Sequence, residues 1–296
     1  MSGGQSSRQS TGVPGLDERL GGGLLPGTLT VVVGATGIGK TQLGLQYAQA
    51  GAAQEGRRGV IFDCSARGDS QSHAEYAKRI FGWEMQSVDA GKPVDVEGLF
   101  RTASDFGDYL HLFDYRGRRV TRRDLDWDDW QNWQAELNSR LRAGIAFLYG
   151  NFTRGVRRVV MDGIEPTDRP SESIQFNLLE YVYHQILRKD PEWVARDLFR
   201  EAYRRHADEA AAHSYDPGQI GCLLLCTSHE TMLDDLISRP LDEGDVLSNA
   251  NTLIYLGKVH EGDRIGRGLY VAKHRGSACD ERIVPFRIGD GGLTLE

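Results

Sequence analysis

Residues 28–41 read TLTVVVGATGIGKT. The first six are apolar or β-branched and read as a buried strand. The next eight, Gly34 to Thr41, fit G-x-x-x-x-G-K-[ST] without departure, and a helical stretch follows at about 40–55. Strand, glycine-rich turn and helix in that order form a phosphate cradle. The glycines let backbone N–H groups converge on an anion, and the helix N-terminus adds positive potential. The expected cradle is Gly34, Ala35, Thr36, Gly37, Ile38, Gly39, Lys40, Thr41 and Gln42. In it Lys40 reaches the terminal phosphates and the Thr41 hydroxyl ligates Mg²⁺.

Outward from this stretch, strand and helix patterns alternate. Strands are expected at 59–63, 108–113, 156–162, 220–227, 251–257 and 268–275. Helices are expected at 70–82 and 124–150, and a terminal hairpin at 282–295. Alternation of this kind predicts an α/β fold, a mostly parallel twisted sheet with helices on both faces. Between the two central strands, residues 171–216 hold two helices. The first has apolar residues at Ile174, Leu178, Tyr181 or Val182, and Ile186. The second opens at Asp190-Pro191, an N-cap followed by proline, and runs to about His213. It is long and polar, and its pattern fits a solvated surface or a partner-binding one. Residues 1–10 read as a disordered tail, and 11–296 as one domain with helical insertions at about 84–150 and 168–216.

A nucleotide site needs an acid for Mg²⁺. Asp162 ends the apolar run Val159-Val160-Met161, where a parallel sheet presents its C-terminal edge to ligands. It is the candidate, and Thr41 and Asp162 form the expected metal site.

Composition narrows the class. The chain of 296 residues has 35 Lys plus Arg against 42 Asp plus Glu, a formal charge of −7. Bulk attraction to nucleic acid or an anionic membrane is therefore not expected. No apolar run approaches the roughly 20 residues that span a bilayer, and the opening MSGGQSSRQS has no apolar core of a signal peptide. Four cysteines argue against a disulfide framework. Cys222 and Cys226 stand about 13 Å apart along one strand, too far to share a zinc ion. A cytoplasmic protein is expected.

The stretch TGVPGLDERLGGGLLPGTLTVVVGATGIGKT resembles the opening of KaiC-like ATPases of the RecA superfamily. Lys273-His274-Arg275-Gly276-Ser277, followed by ERIVPFRIGDGGLTL, resembles their ending. The likeness covers about 11–66, 156–164 and 220–295. It implies a RecA-like core binding ATP with Mg²⁺, and a homo-oligomeric ring, usually a hexamer, with nucleotide at subunit interfaces. Lys273 and Arg275 match the basic residues that reach a neighbour's γ-phosphate. Two residues apart on a strand, they share a face and can meet one anion.

One departure bears on catalysis. The resemblance places one or two Glu after the strand at 59–63, to activate water. Here Ser65 and Ala66 occupy those positions, and a hydroxyl is a poor base beside a carboxylate. Asp63, Asp69 and Glu165 are the candidate substitutes, but Asp63 sits two residues early and further from the γ-phosphate, so slow or absent turnover is expected. The alternative is a nucleotide-binding scaffold with little turnover. A RecA-type recombinase is disfavoured because 229–251 carries Glu230, Asp234, Asp235, Asp242, Glu243 and Asp245 against Arg239 alone. Arg116, Arg118, Arg119, Arg122 and Arg123 precede Asp124, Asp126, Asp128 and Asp129 with Trp127, Trp130 and Trp133. That pattern reads as an interface. A regulatory protein partner is expected there or on the helices of 171–216. No residue is marked for autophosphorylation.

Overall fold

The computed structural model describes residues 8–65, 73–92, 94–101, 106–112, 126–165, 174–239, 249–276, 279–280 and 282–296. The elements carrying the first half are α1 (Leu16–Arg19), β1 (Leu29–Gly34), α2 (Lys40–Gln54), β2 (Val60–Asp63), α3 (His73–Phe81), β3 (Ser87–Asp89), β4 (Tyr109–His111) and α4 (Trp127–Thr153). Then follow β5 (Arg158–Ile164), α5 (Ile174–Val182), α6 (Pro191–Arg205), α7 (Ala207–Ala212), β6 (Gly221–Thr227), α8 (Leu233–Ser238), β7 (Thr252–Glu261), β8 (Arg264–His274), β9 (Val284–Gly289) and β10 (Gly292–Leu295).

Among the described residues ten strands join one sheet in the order β10-β9-β8-β7-β1-β6-β5-β2-β4-β3. From β7 to β3 every pairing is parallel. The C-terminal strands β8, β9 and β10 add antiparallel. The fold is the expected α/β layout with a terminal hairpin.

Strand β1 lies between β6 and β7, inside the sheet and covered on both faces, which is why it reads as an unbroken apolar run. Its side chains alternate between two cores. Val31 and Val33 face the one completed by α4, α5 and α6. Val32 faces the one completed by Leu43, Leu45 and Ala48 of α2. Segment 84–150 feeds both the sheet and a helix: β3 and β4 extend the parallel edge beyond β2, and α4 buries Ala143 to Phe152 along its C-terminal part.

Three local expectations are corrected. The strand at 156–162 runs on through Ile164, with a register shift against β6 between Met161 and Ile164. The helix from Asp190 keeps its cap, since Asp190 Oδ1 accepts from the Glu192 and Trp193 N–H groups at 2.8 and 3.3 Å. It does not reach His213 in one piece: Arg200 departs from helical geometry with φ 24°, and α6 gives way to α7 at His206. Nor is it a purely solvated surface, because Val194, Ala195, Phe199 and Ala202 join the core. On the preceding helix Val182 is buried and Tyr181 is exposed.

Trp127 at the start of α4 is 67% exposed. The side chains of Trp130 and Trp133, the arginines at 116–123 and the acids at 240–248 lie outside the described residues. Among the described residues no helix is long and apolar enough to cross a membrane.

Candidate nucleotide site

The cradle forms where β1 ends and α2 begins. Gly39 takes φ +121°, which disfavours any L side chain, and an added Cβ would stand 2.8 Å from Ile288 Cδ1. The C-terminal hairpin is thus seated on the loop. Gln46, two turns into α2, holds it there. Its amide donates to Leu293 O at 2.9 Å and its carbonyl oxygen accepts from Leu293 N at 2.7 Å.

Lys40 is buried, and its Nζ donates to Gly34 O at 2.8 Å and Ala35 O at 3.0 Å. Burial pushes its pKa down, with the Asp162 charge opposing the shift. A phosphate arriving at the loop would offer this ammonium stronger, charged acceptors. Gln42 at the end of the cradle has a buried Oε1 without a hydrogen-bond partner.

The expected metal ligands are brought together. Thr41 Oγ1 donates to Asp162 Oδ2 at 2.7 Å, across 121 residues of chain. Gly163 N donates to the other carboxylate oxygen at 2.6 Å. Gly163 has φ +87°, and a Cβ there would lie 2.3 Å from Ser65 N. The shifted register and the glycine let β5 carry Asp162 close against β2. A hydroxyl and a carboxylate are hard oxygen donors of the kind Mg²⁺ takes. Among the described residues no group of three or more His, Cys, Asp or Glu is placed to hold a metal. A cation here would therefore share Thr41 and Asp162 with oxygens of its nucleotide and water, and the donor set fits such a shared ion.

Asp63 pairs in register with Asp162 across β2 and β5. Between the two carboxylates lies His73, the first residue of α3, almost wholly buried. Its Nε2 is 3.0 Å from Asp162 Oδ2, and its Nδ1 is 3.5 Å from Asp63 Oδ2. Burial opposes a charge on the imidazole, but the hydrogen bond and charge of Asp162, with the charge of Asp63, win and raise its pKa. Asp162 shows the reciprocal effect. Burial alone would raise its pKa; the His73 bond and charge, the Thr41 hydroxyl and Lys40 outweigh that and lower it.

Asp63 also accepts from Ser65 N at 2.8 Å and from the Tyr109 hydroxyl at 2.7 Å. Burial and the Asp63 charge push the Tyr109 phenol far up, so it stays a donor. His73 and Tyr109 were not among the sequence-derived site residues. No motif marks either, although a histidine opening a helix just beyond the β2 loop is a usable signal.

Ser65 stands where an activating Glu was expected, and Ala66 and Asp69 lie outside the described residues. Glu165 N donates to Gln175 Oε1 at 3.1 Å. Lys273 and Arg275 lie at the end of β8, where a register shift against β7 falls between Leu253 and Ile254. Burial lowers the Lys273 pKa, and the Arg275 charge adds to it. His274 between them turns inward, 2.9 Å from Thr252 Oγ1 and 3.0 Å from Leu20 O. It pins the strand end that carries the two cations.

A family model described as "ATPase: KaiC" matches residues 9–107. Over about a third of its length, then, the chain resembles KaiC ATPases. The chain is 33% identical over 97 residues to circadian clock protein KaiC2 of Synechocystis sp., and 35% identical over 110 residues to the circadian clock oscillator protein KaiC of Rippkaea orientalis. These matches take in 32% and 37% of this chain, but only 16% and 19% of those proteins. The chain therefore spans under a fifth of either clock protein. A UPF0273 protein of Methanopyrus kandleri is 24% identical over 302 residues, covering 98% of this chain and 92% of that one. The crystal structure of a KaiC-like protein from Pyrococcus horikoshii OT3 superposes with a TM-score of 0.52 at 18% identity, covering 98% of both chains. That likeness carries the KaiC-like fold through the C-terminal hairpin.

Proposed function

We propose that the protein binds MgATP at residues 34–42 and hydrolyses it slowly, as a regulatory switch within a homo-oligomeric ring. The observation that carries this reading is the junction of Thr41 with Asp162 at 2.7 Å beside an intact cradle. The backbone N–H groups of the loop and Lys40 would hold the phosphates. Thr41 and Asp162 would hold Mg²⁺, which when bound neutralises charge on the phosphate oxygens. Lys273 and Arg275 would approach from the neighbouring subunit, stabilising charge on the γ-phosphate as water attacks. One repeated head-to-tail interface closes a ring, with six subunits the family's usual number. One domain spanning 11–296 suits that assembly.

A second reading, a nucleotide-binding scaffold with little turnover, is favoured by one observation. Asp63, the substitute base on β2, already accepts from Ser65 N and Tyr109 and faces His73. Both of its carboxylate oxygens are already engaged by the protein itself. Turnover below about 1 s⁻¹ is expected, the slow end of the usual range. Ser65→Glu should raise it, and fast wild-type turnover would show that another acid serves.

The decisive test is thermal. MgATP should raise Tm by mass action, and Lys40→Ala should remove most of that shift. An equal shift in the variant would overturn the assignment of the loop.

A further inference from the structure

The Mg²⁺ ligands of the proposed site do not stand alone. Asp162 Oδ2 takes two donors, the Thr41 hydroxyl at 2.7 Å and His73 Nε2 at 3.0 Å. A cation entering between Thr41 and Asp162 would displace the Thr41 hydrogen bond but leave the histidine one in place. His73 is itself fixed. It starts α3, its ring packs 5.3 Å from that of Tyr109, and its Nδ1 faces Asp63 at 3.5 Å without a hydrogen bond. The Asp162 carboxylate is thus clamped from two sides, by Gly163 N on Oδ1 and by His73 on Oδ2.

We infer that His73 is a positioning residue for the metal: it holds the Asp162 carboxylate in the orientation that serves Mg²⁺, and so sets the Mg²⁺ requirement of nucleotide binding. This rests on the nucleotide-binding reading above. Its consequence is specific, because affinity for nucleotide without metal should not depend on His73, whereas the Mg²⁺ midpoint should. Groups that orient a metal ligand in this way typically change metal affinity by about 10- to 100-fold when removed.

The test titrates Mg²⁺ at a fixed concentration of a non-hydrolysable ATP analogue and reads Tm. Parallel samples in chelator give the metal-free shift. Side-chain length discriminates the roles. A glutamine amide nitrogen reaches the place of Nε2, next to Asp162, whereas an asparagine amide nitrogen reaches only that of Nδ1, next to Asp63. His73→Ala and His73→Asn should raise the Mg²⁺ midpoint about tenfold or more. His73→Gln should stay within about threefold of wild type. The metal-free shift should be the same in all four proteins. Should His73→Ala fail to fold, the Asn and Gln pair still decides.

An unchanged midpoint in His73→Asn would overturn the inference. So would a lower one, which would mean that the histidine repels the cation rather than orienting its ligand. Equal midpoints in Asn and Gln, with Tm of the free protein falling alike, would reduce His73 to a packing role. No response of the wild type to the analogue, with or without Mg²⁺, would instead remove the nucleotide reading and the inference with it.

Discussion

The two flanks of the cradle are built differently. On the β1–α2 side, main-chain groups do most of the work: glycines shape the turn, Lys40 folds onto Gly34 O and Ala35 O, and Gln46 clasps Leu293. On the β2–β5 side, ionisable side chains from four separate stretches meet in the dark, Asp63, His73, Tyr109 and Asp162. The first flank needs particular residues at fixed spacing, because a backbone loop can be shaped in few ways. The second needs only charge balance and donor geometry, which many residue sets satisfy. Sequence pattern therefore marks the first flank throughout, but on the second it marks only Asp63 and Asp162, each ending an apolar run, not His73 or Tyr109.

The sharpest way to break this contrast is at the cations that the proposed site would borrow from a neighbouring subunit. Replacing both Lys273 and Arg275 by Ala should lower turnover, up to the roughly 10³- to 10⁵-fold reported for such groups in trans. It should also weaken nucleotide-dependent assembly, as sedimentation at several protein concentrations would show. A monomer at high concentration with saturating nucleotide would return the pair to an ordinary strand face.

A smaller effect probes the clasp. Gln46→Ala strands the buried N–H and carbonyl of Leu293, and leaving such groups unpaired costs about 1–3 kcal/mol each. Denaturant unfolding should show a clear loss, with Mg²⁺ dependence unchanged. A shifted Mg²⁺ midpoint would mean that the flanks are coupled.

The smallest expected effect lies on the far rim. Asp280 accepts from Arg19 and Arg282, chiefly through the Arg282 hydrogen bond, which holds its pKa down to about 2 from an ordinary 3.8. A carboxyl depressed on folding stabilises above its unfolded value and loses that contribution as pH falls through the folded one. Asp280→Asn should therefore lower Tm slightly at pH 5, and the difference should shrink toward pH 2 and vanish below it.

Legibility followed the same division. Strand β1, the cradle, Asp162 and the terminal hairpin were readable because each is a continuous run whose burial or turn chemistry leaves a local mark. Strand β3 was not: Ser87-Val88-Asp89 is three residues long, mostly exposed, and exists only through pairing with β4. The core face of α6 was obscured because Val194, Ala195, Phe199 and Ala202 sit among Arg, Glu and Asp. His73 was missed because its partners lie 10 and 89 residues away, and their meeting depends on a register between strands.

Gln46 has one further partner. Its amide nitrogen also donates to Gly12 O at 3.2 Å, while Gln54 on the same helix accepts from Ser10 N at 2.8 Å. One helix thus tethers backbone from residues 10–12 and from residue 293, so neither segment can peel away without disturbing its anchor. Amide hydrogen exchange should register this as a single opening unit, in which slowly exchanging protons of α2, the 9–13 segment and β10 are released together rather than in sequence from the rim.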